Sequence, residues 1–389
     1  MKYVTLEEVC ENRTSNISQK DLKGNEGIYP IYGASGLIKK VDFYIQDKEY
    51  IGIVKDGAGV GRTMLLPSKS SVIGTMQYII PNGILNIKYL YYALISKKLS
   101  KYSSGATIPH IYFRDYKKEK IVLISEIEQQ KIVSILDKIV SLIEKNKKRI
   151  ILLEELVKSR FIEMFGDPIK NEKGWKQNTL ENISTFESKN ITEILKSNDL
   201  IWLLNLEDIE QNTGKVLKKK IITKSEIPNS IIAFDENYVL YSKLRPYLNK
   251  VVLPTQEGIG TSELIPILLK DEINRIYFFY VLSSESVLKF LKTKVSGAKM
   301  PRLIISDFKK LKICLPSLKL QEEFAGFVTN IDKLKFLYNF ILDFFVNLLK
   351  KLIKEVLFFL TFLIISANIR LDIELAEKEK KMKYYRRSI

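Results

Sequence analysis

At 389 residues the chain has room for two or three ordinary domains, each with its own core. A hydrophobic content of 46% and a mean hydropathy of -0.04 describe a soluble globular protein and exclude a disordered one. The formal charge of +17, with a pI ≈ 9.4, favours a polyanionic partner through counterion release, although a lysine-rich proteome leaves the same signature.

In chain order, the opening MKYVTLEEV lacks the apolar core of a signal peptide. Cys10 and Cys314 are too few and too far apart for a disulfide framework or a zinc cluster. Short β-branched and aromatic runs between Gly, Pro and Asn turns predict strands at Tyr50–Val54, Val72–Ile80 and Ile121–Ile124. Between the first two lies Lys55-Asp56-Gly57-Ala58-Gly59-Val60-Gly61-Arg62-Thr63, which looks like a nucleotide loop. A P-loop needs four residues between its glycines and then Lys-Ser/Thr, and the dinucleotide fingerprint needs other spacings and a following helix. The segment reads instead as a tight strand-to-strand turn.

Ser125 stands where a helix N-cap belongs, and Glu128 completes a capping-box pattern. Apolar residues then recur at spacings of three and four: Ile132, Leu136, Ile139, Ile143, Ile150, Leu153, Val157 and Met164. That is a coiled-coil-like seam, with Asn146 and Arg160 on it, and Gly166 and Pro168 stop it. Such a helix measures about 60 Å at roughly 1.5 Å per residue. Strand signals return at Tyr238–Tyr241, Val251–Leu253 and Ile265–Leu269. Glu207, Asp208 and Glu210 read as a solvated turn or a helix start. After Ser317 a second seam runs through Phe324, Phe327, Ile331, Leu334, Tyr338, Ile341, Phe345, Leu348 and Leu352. Neither stripe is stable exposed, so the helices are expected to pair antiparallel, with helices of another chain as the alternative. Val356–Ala367 runs 12 residues without a charge, short of the ~20 needed to span a membrane. No membrane association and a cytoplasmic location are expected.

Self-similarity organises these elements. Ser103–Val140 aligns without gaps to Val295–Asp332, 192 residues later, with 13 of 38 positions identical, among them Gly105/Gly297, Pro109/Pro301, Asp115/Asp307 and Gln129/Gln321. Weaker echoes pair Thr5-Leu6-Glu7 with Thr179-Leu180-Glu181, Tyr50 to Lys55 with Tyr238 to Lys243, and Gly74-Thr75 with Gly260-Thr261, at offsets of 174, 188 and 186. One fold therefore occurs twice, with extra loop residues in the second copy. The expected segments are 1–124 and 167–316 for the two globular parts, 125–166 and 317–355 for the helices, and 356–389 for an apolar then basic tail.

The duplicated S-G-A-x-x-P-x-x-x-x-x-D box, the Q-x-x-I-polar helix start, YPIYGASG at Tyr29–Gly36 and LYSKLRPYLNKV at Leu240–Val251 together resemble the specificity subunits of type I restriction–modification systems. The resemblance covers about residues 1–350. It implies an α+β fold of two tandem mixed α/β target-recognition domains, separated by two long helices pairing as an antiparallel coiled coil. It also implies double-stranded DNA as ligand, each domain reading half of a bipartite site. Two modification (methyltransferase) subunits and the restriction (endonuclease/translocase) subunits are the implied partners. S-adenosylmethionine, and ATP with Mg, would be bound by those partners, with no cofactor in this chain. The tail departs from the family's expected ending: Phe336–Ile365 is unusually rich in Phe, Leu and Ile. A shifted reading frame, a fused remnant or a docking helix each explain it.

Phosphates attract Lys, Arg and small hydroxyls, whereas base edges need forked or amide groups. The box offers Ser104, Thr107 and His110 in the first copy, and Ser296, Lys299 and Arg302 in the second. Lys55 and Arg62 flank the glycine turn; Lys243, Arg245 and Lys250 occupy the matching stretch. Arg245, preceding Pro246, is expected in extended backbone. Tyr241 and Tyr247 are open between core and interface, and Gly105-Ala106 and Gly297-Ala298 between DNA contact and a buried loop.

No Asn-Pro-Pro-Tyr-like pocket for a flipped adenine, Gly-rich methyl-donor loop or P-loop is present. One histidine and isolated cysteines leave no hydrolase or zinc constellation. The chain is therefore expected to be non-catalytic, without metal ligands. A single-chain restriction enzyme or methyltransferase carrying a recognition module, or a purely structural coiled-coil protein, are the alternatives.

Overall fold

The computed structural model describes residues 2–356 apart from 106 and 198, so the tail after Val356 and Ala106 of the box lie outside the described residues. The described residues form two compact units, one of 2–147 with 340–356, the other Lys148–Asn339. Both long helices, Glu126–Phe165 and Leu318–Val356, contribute a part to each.

In the first unit a four-stranded sheet has the order Cys10–Thr14, Met76–Pro81, Tyr50–Val54, Thr63–Leu66. Tyr50–Val54 is buried on both faces, which explains its unbroken apolar run. Tyr50 and Val54 point into a cluster with Leu66, Val72, Met76 and Tyr78. Ile51 and Ile53 join the main core beneath the helix Ile87–Lys97, as the two-residue period of a strand requires. A smaller sheet orders Gly36–Val41, Tyr29–Gly33 and Ser71–Val72.

The second unit repeats this plan. Its main sheet runs Ser184–Thr185, Leu264–Leu269, Tyr238–Ser242, Val251–Val252, and its other sheet Lys220–Thr223, Leu200–Leu204, Gly258–Thr261, Ile231–Phe234. Tyr238 and Leu240 again face one cluster and Val239 and Tyr241 the other. The register is preserved: Ile51 pairs with Ile79, and Val239 with Ile267. The same shift of 188 carries the short strand Ser71–Val72 onto Ile259-Gly260, through their parallel pairing with Ile31-Tyr32 and Leu203-Leu204. Gly74-Thr75 therefore corresponds to Ser262-Glu263. The sequence echo with Gly260-Thr261 is two residues out of register, because a Gly-Thr dipeptide matched by composition.

Each unit fastens its globular part to its long helix through one buried glutamine. Gln129 accepts the Asn86 N–H through Oε1 at 2.7 Å and donates Nε2 to the Ile124 carbonyl at 3.0 Å. Gln321 accepts the Asn274 N–H at 2.9 Å and donates to Pro316 O at 2.9 Å and Glu272 O at 3.2 Å. Asn86 and Asn274 in turn cap the helices Ile87–Lys97 and Arg275–Ser283. Tyr89 and Tyr277 close the arrangement by donating to Val122 O and Cys314 O, both at 2.9 Å.

The helix signals hold. Ser125 and Glu128 form a reciprocal box, and Gly166 adopts φ 75 with its N–H on Ile162 O at 2.8 Å. Within the second unit the helices run antiparallel: Arg160 meets Glu323, Glu154 meets Lys335, and the Arg149 guanidinium lies over the Tyr338 ring. Phe161 and Phe165 pack on Phe324, Val328 and Ile331. In the first unit Ile132, Val133 and Leu136 share a cluster with Leu349, Leu352 and Ile353. The second seam differs from expectation in two places. Val328 is buried while Phe327 is half-buried against the same cluster, and Leu334 is 39% exposed, because a 4–3 step from Phe324 brings Val328 and Ile331 onto the packed face. Asn146 is buried, donates Nδ2 to Leu142 O at 2.8 Å and leaves Oδ1 unpaired.

Removing the Gln321 amide strands a buried N–H and a buried carbonyl together. Gln321→Leu is expected to lower stability by about 2–4 kcal/mol, read as an earlier unfolding transition in urea with an unchanged slope.

Candidate nucleic-acid interface

The candidate residues fall into two groups, one in each unit, built on the same backbone lattice. In the first unit the strand Tyr50–Val54 leads into Lys55, whose N–H bonds Thr75 O at 2.9 Å and whose carbonyl receives the Ile111 N–H at 2.9 Å. Two residues on, Gly57 donates to Pro109 O at 2.8 Å. Within the box Ser104 and His110 exchange N–H···O bonds at 3.0 and 2.8 Å. The second unit reproduces each bond. Lys243 donates to Glu263 O at 3.0 Å and accepts from Leu303 at 2.8 Å; Arg245 donates to Pro301 O at 2.8 Å. Ser296 pairs with Arg302. Lys55, Arg62, Ser104 and His110 are thus gathered around one loop cluster, and Lys243, Arg245, Lys250, Ser296 and Arg302 around its counterpart.

The glycine turn and its counterpart share their unusual backbone. Gly57 (φ 93) and Gly61 (φ 81) correspond to Arg245 (φ 49) and Asn249 (φ 48). Arg245 is therefore left-handed, with ψ 61, and the expected extended conformation is corrected. Its N–H is committed to Pro301 O and its carbonyl to the Leu248 N–H at 2.9 Å, and only a positive φ closes both bonds around Pro246–Leu248. Gly61 is constrained further, since a Cβ there would stand 2.4 Å from the Ser100 nitrogen. Gly105 (φ 98) and Gly297 (φ 88) are exposed, which removes the buried-loop alternative for them.

The side chains on this lattice differ in how far they are committed. Ser104, Thr107, Ser296 and Lys299 lie on exposed loop or edge positions. His110 is half-buried, with Nδ1 3.2 Å from Ile108 O. Lys55 sits 3.7 Å from Asp56, and Arg302 pairs with Glu263 at 3.2 Å. Arg62 donates Nη1 to Ala34 O at 2.7 Å, and Lys250 donates Nζ to Leu206 O at 2.6 Å. Burial lowers the Lys250 pKa. Tyr241 belongs to the core and Tyr247 is exposed. One pair escaped the sequence reading: the Arg114 guanidinium stacks over the exposed Tyr112 ring at 4.7 Å, beside His110. Its signal was available, because the second copy has Ile304 and Ser306 there. Among the described residues no group of His, Cys, Asp and Glu could hold a metal ion. Both cysteines are buried, and burial raises each thiol pKa, Cys10 to about 12, so neither is a ready nucleophile. The arrangement suits binding.

A family model described as the type I restriction modification DNA specificity domain matches residues 1–155 and again 172–339. The EcoDI specificity subunit of a type I restriction enzyme from Escherichia coli is 22% identical over 83% of this chain and 79% of its own length. The MjaIX specificity subunit from Methanocaldococcus jannaschii is 25% identical over 80% of this chain and 78% of its own. Among solved structures, a type I restriction–modification S subunit from M. genitalium covers 92% of this chain and 96% of its own, with a TM-score of 0.57 and 17% identity. At that identity the likeness speaks for the fold.

The shared left-handed positions make an asymmetric prediction. Gly61→Ala places a Cβ against backbone and should destabilise by about 2–4 kcal/mol. Arg245→Gly relieves a left-handed residue and should stay within about 1 kcal/mol of the parent. Urea unfolding of the two variants measures the contrast, and equal losses would contradict it.

Proposed function

The chain belongs to the family of type I restriction–modification DNA specificity proteins, and on that premise we propose that its two units are target-recognition domains, each reading one half of a bipartite double-stranded DNA site. The observation that carries this reading is the lattice built twice with different side chains on it. Lys55 and Lys243 match in charge, whereas Thr107 aligns with Lys299, and His110 with Arg302, across the duplication. An equal framework delivers two readers to DNA in the same way, and unequal side chains let them favour different base pairs. The net charge of +17 supplies the sequence-independent attraction to phosphates.

As a specificity component the chain contributes recognition. Methyl transfer with S-adenosylmethionine, and ATP- and Mg-dependent translocation and cleavage, are assigned to two modification subunits and to restriction subunits. The exposed Ile151, Leu152 and Leu156 on the first long helix, and Phe336, 72% exposed on the second, are apolar surface of the kind a partner subunit covers. The long helices serve as the ruler between half-sites, since half-site spacing follows protein geometry. Among the described residues no helix is long and apolar enough to cross a membrane, and we assign the complex to the cytoplasm.

Two measurements test this reading. Lys299→Gln should weaken binding of the assembled complex to all duplexes alike and reduce the slope of log affinity against log salt by about 1. A helical repeat inserted next to Met164 should alter the unspecified gap of the methylated target and leave both halves as they were. Methylome sequencing that returned changed halves around the same gap would sink the ruler.

A further inference from the structure

Three segments meet at each lattice: the strand exit, the box, and the end of a hairpin, in the smaller sheet of the first unit and in the second sheet of the other. The strand exits, 55–63 and 243–251, are equal in length, and so are the boxes, 104–110 and 296–302. The hairpins are not. In the first unit Tyr29–Gly33 and Gly36–Val41 close over Ala34 and Ser35, with Gly33 paired to Gly36. In the second, Leu200–Leu204 and Lys220–Thr223 are joined through 205–219. Ile31 paired with Lys39, and Leu203 paired with Lys220, mark equivalent rungs, so the difference in length arises at the hairpin end.

The longer end is a built element. Asp208 accepts the Asn205 N–H at 3.0 Å, Leu217 donates to Asp208 O at 2.7 Å, and Ile209 bridges Val216. Ile209 is buried in a cluster with Trp202, Phe234 and Leu240. Asn212, at φ 64, donates its N–H to the carbonyls of Leu248 and Asn249 at 3.2 Å each, and Gly214 sits against Val251 O. The tip exposes Gln211 and Asn212, flanked by Lys215 and Lys218, while the Thr213 hydroxyl is kept within the turn, donating to Glu210 at 2.6 Å. Amide side chains are among the groups that read base edges, and lysines suit the adjoining phosphates.

Both hairpin ends are held by the same position. Arg62 and Lys250 each immediately precede the strand that follows the exit, at Thr63 and Val251. Each donates to a carbonyl of its own hairpin end, Ala34 at 2.7 Å and Leu206 at 2.6 Å. Each thus commits one donor to its own chain.

We infer that the hairpin ends carry the discrimination between the two half-sites, with Gln211 and Asn212 reading base edges in the second unit, and that Arg62 and Lys250 are positioning residues that hold these ends. The inference rests on the reading of the units as DNA half-site readers. A hairpin end fixed on the lattice presents its polar groups in one orientation, whereas a released end presents many, and orientation is what separates a base reader from a general DNA binder.

The test uses the complex assembled with its methyltransferase partner, with methylome sequencing and with binding to cognate and single-mismatch duplexes across a salt series. The parent complex comes first: no bipartite motif there removes the half-site reading itself. Given that motif, Gln211→Ala with Asn212→Gly, which keeps the left-handed turn, should relax one or more positions of one half and leave the other. Both halves unchanged would overturn the hairpin as reader. Lys250→Met should lower cognate-over-mismatch preference in that same half by about tenfold, leave the salt slope where it was, and be rescued by Lys250→Arg. A slope reduced by about 1 with preference intact would make Lys250 a phosphate contact instead. Arg62→Met repeats the experiment in the first unit and should affect the opposite half, and both variants altering one half would refute the assignment.

Discussion

The N–H of Gly57 reaches the carbonyl of Pro109, and the N–H of Arg245 reaches the carbonyl of Pro301, each at 2.8 Å. In each unit the loop cluster hangs on that bond. It joins the exit of the most deeply buried strand of each unit to a surface loop about fifty residues further on, and so transfers the rigidity of a packed core to otherwise solvated backbone. The bond also sets the conformation of its donor. At both positions the chain must turn left-handed, which glycine does freely and arginine only at a penalty of order 1 kcal/mol. A strained non-glycine residue persists where its surroundings over-determine it, and Arg245 is held by bonds on both its N–H and its carbonyl. The unit with arginine there retains the turn because the lattice leaves it no other.

The buried glutamines show why some positions survived divergence and others drifted. Core positions exchange apolar residues of different size where their neighbours repack, so Ile132 aligns with Phe324, and Val133 with Ala325, across the duplication. Gln129 and Gln321 have no such latitude. Each satisfies a donor and an acceptor on two different elements at once, and no apolar residue does either. A polar group buried at the root of a helix thus fixes where the helix starts relative to the sheet. That root is what gives a coiled-coil seam a defined beginning. Asn146, buried with its carbonyl oxygen unpaired, plays the opposite part: it weakens the seam locally, and such residues limit the registers in which helices pair.

The duplication, the capping box, the left-handed stop at Gly166 and the first helical seam were legible in the sequence because each is a local pattern with a period or a fixed offset. The gathering of Lys55, Arg62, Ser104 and His110 was partly legible, since the box and the glycine turn each stood out alone. What joins them was not. The bond from Gly57 to Pro109 links distant backbone atoms whose residue types say nothing about pairing. The sign of φ at Arg245 escaped for a related reason: arginine before proline reads as extended, and only the tertiary partner on its N–H reverses that. The two-residue slip between Gly74-Thr75 and Gly260-Thr261 arose from matching residue types where the structure matches hydrogen bonds. The second seam passed over Val328 because adjacent apolar residues on a helix leave the face undecided until a partner chooses.

The cations named from sequence divide by what they already touch. Arg62 and Lys250 are spent on hairpin carbonyls, and Arg302 pairs with Glu263, while Lys299 stands exposed. An ion pair at a partly exposed site contributes little to stability, so the Arg302–Glu263 pair is better understood as aiming the guanidinium than as holding the fold. A forked donor held in one plane by a carboxylate is suited to a base edge, whereas an unrestrained lysine amine suits a phosphate, which accepts it from many directions. The same total charge thus separates into an unoriented part, which brings the protein to any DNA and weakens with salt, and an oriented part, whose value depends on the bonds that fix it. Duplicating the lattice doubled both. The two units keep the backbone bonds of the lattice and differ in the side chains set on it and in the length of the hairpin ends.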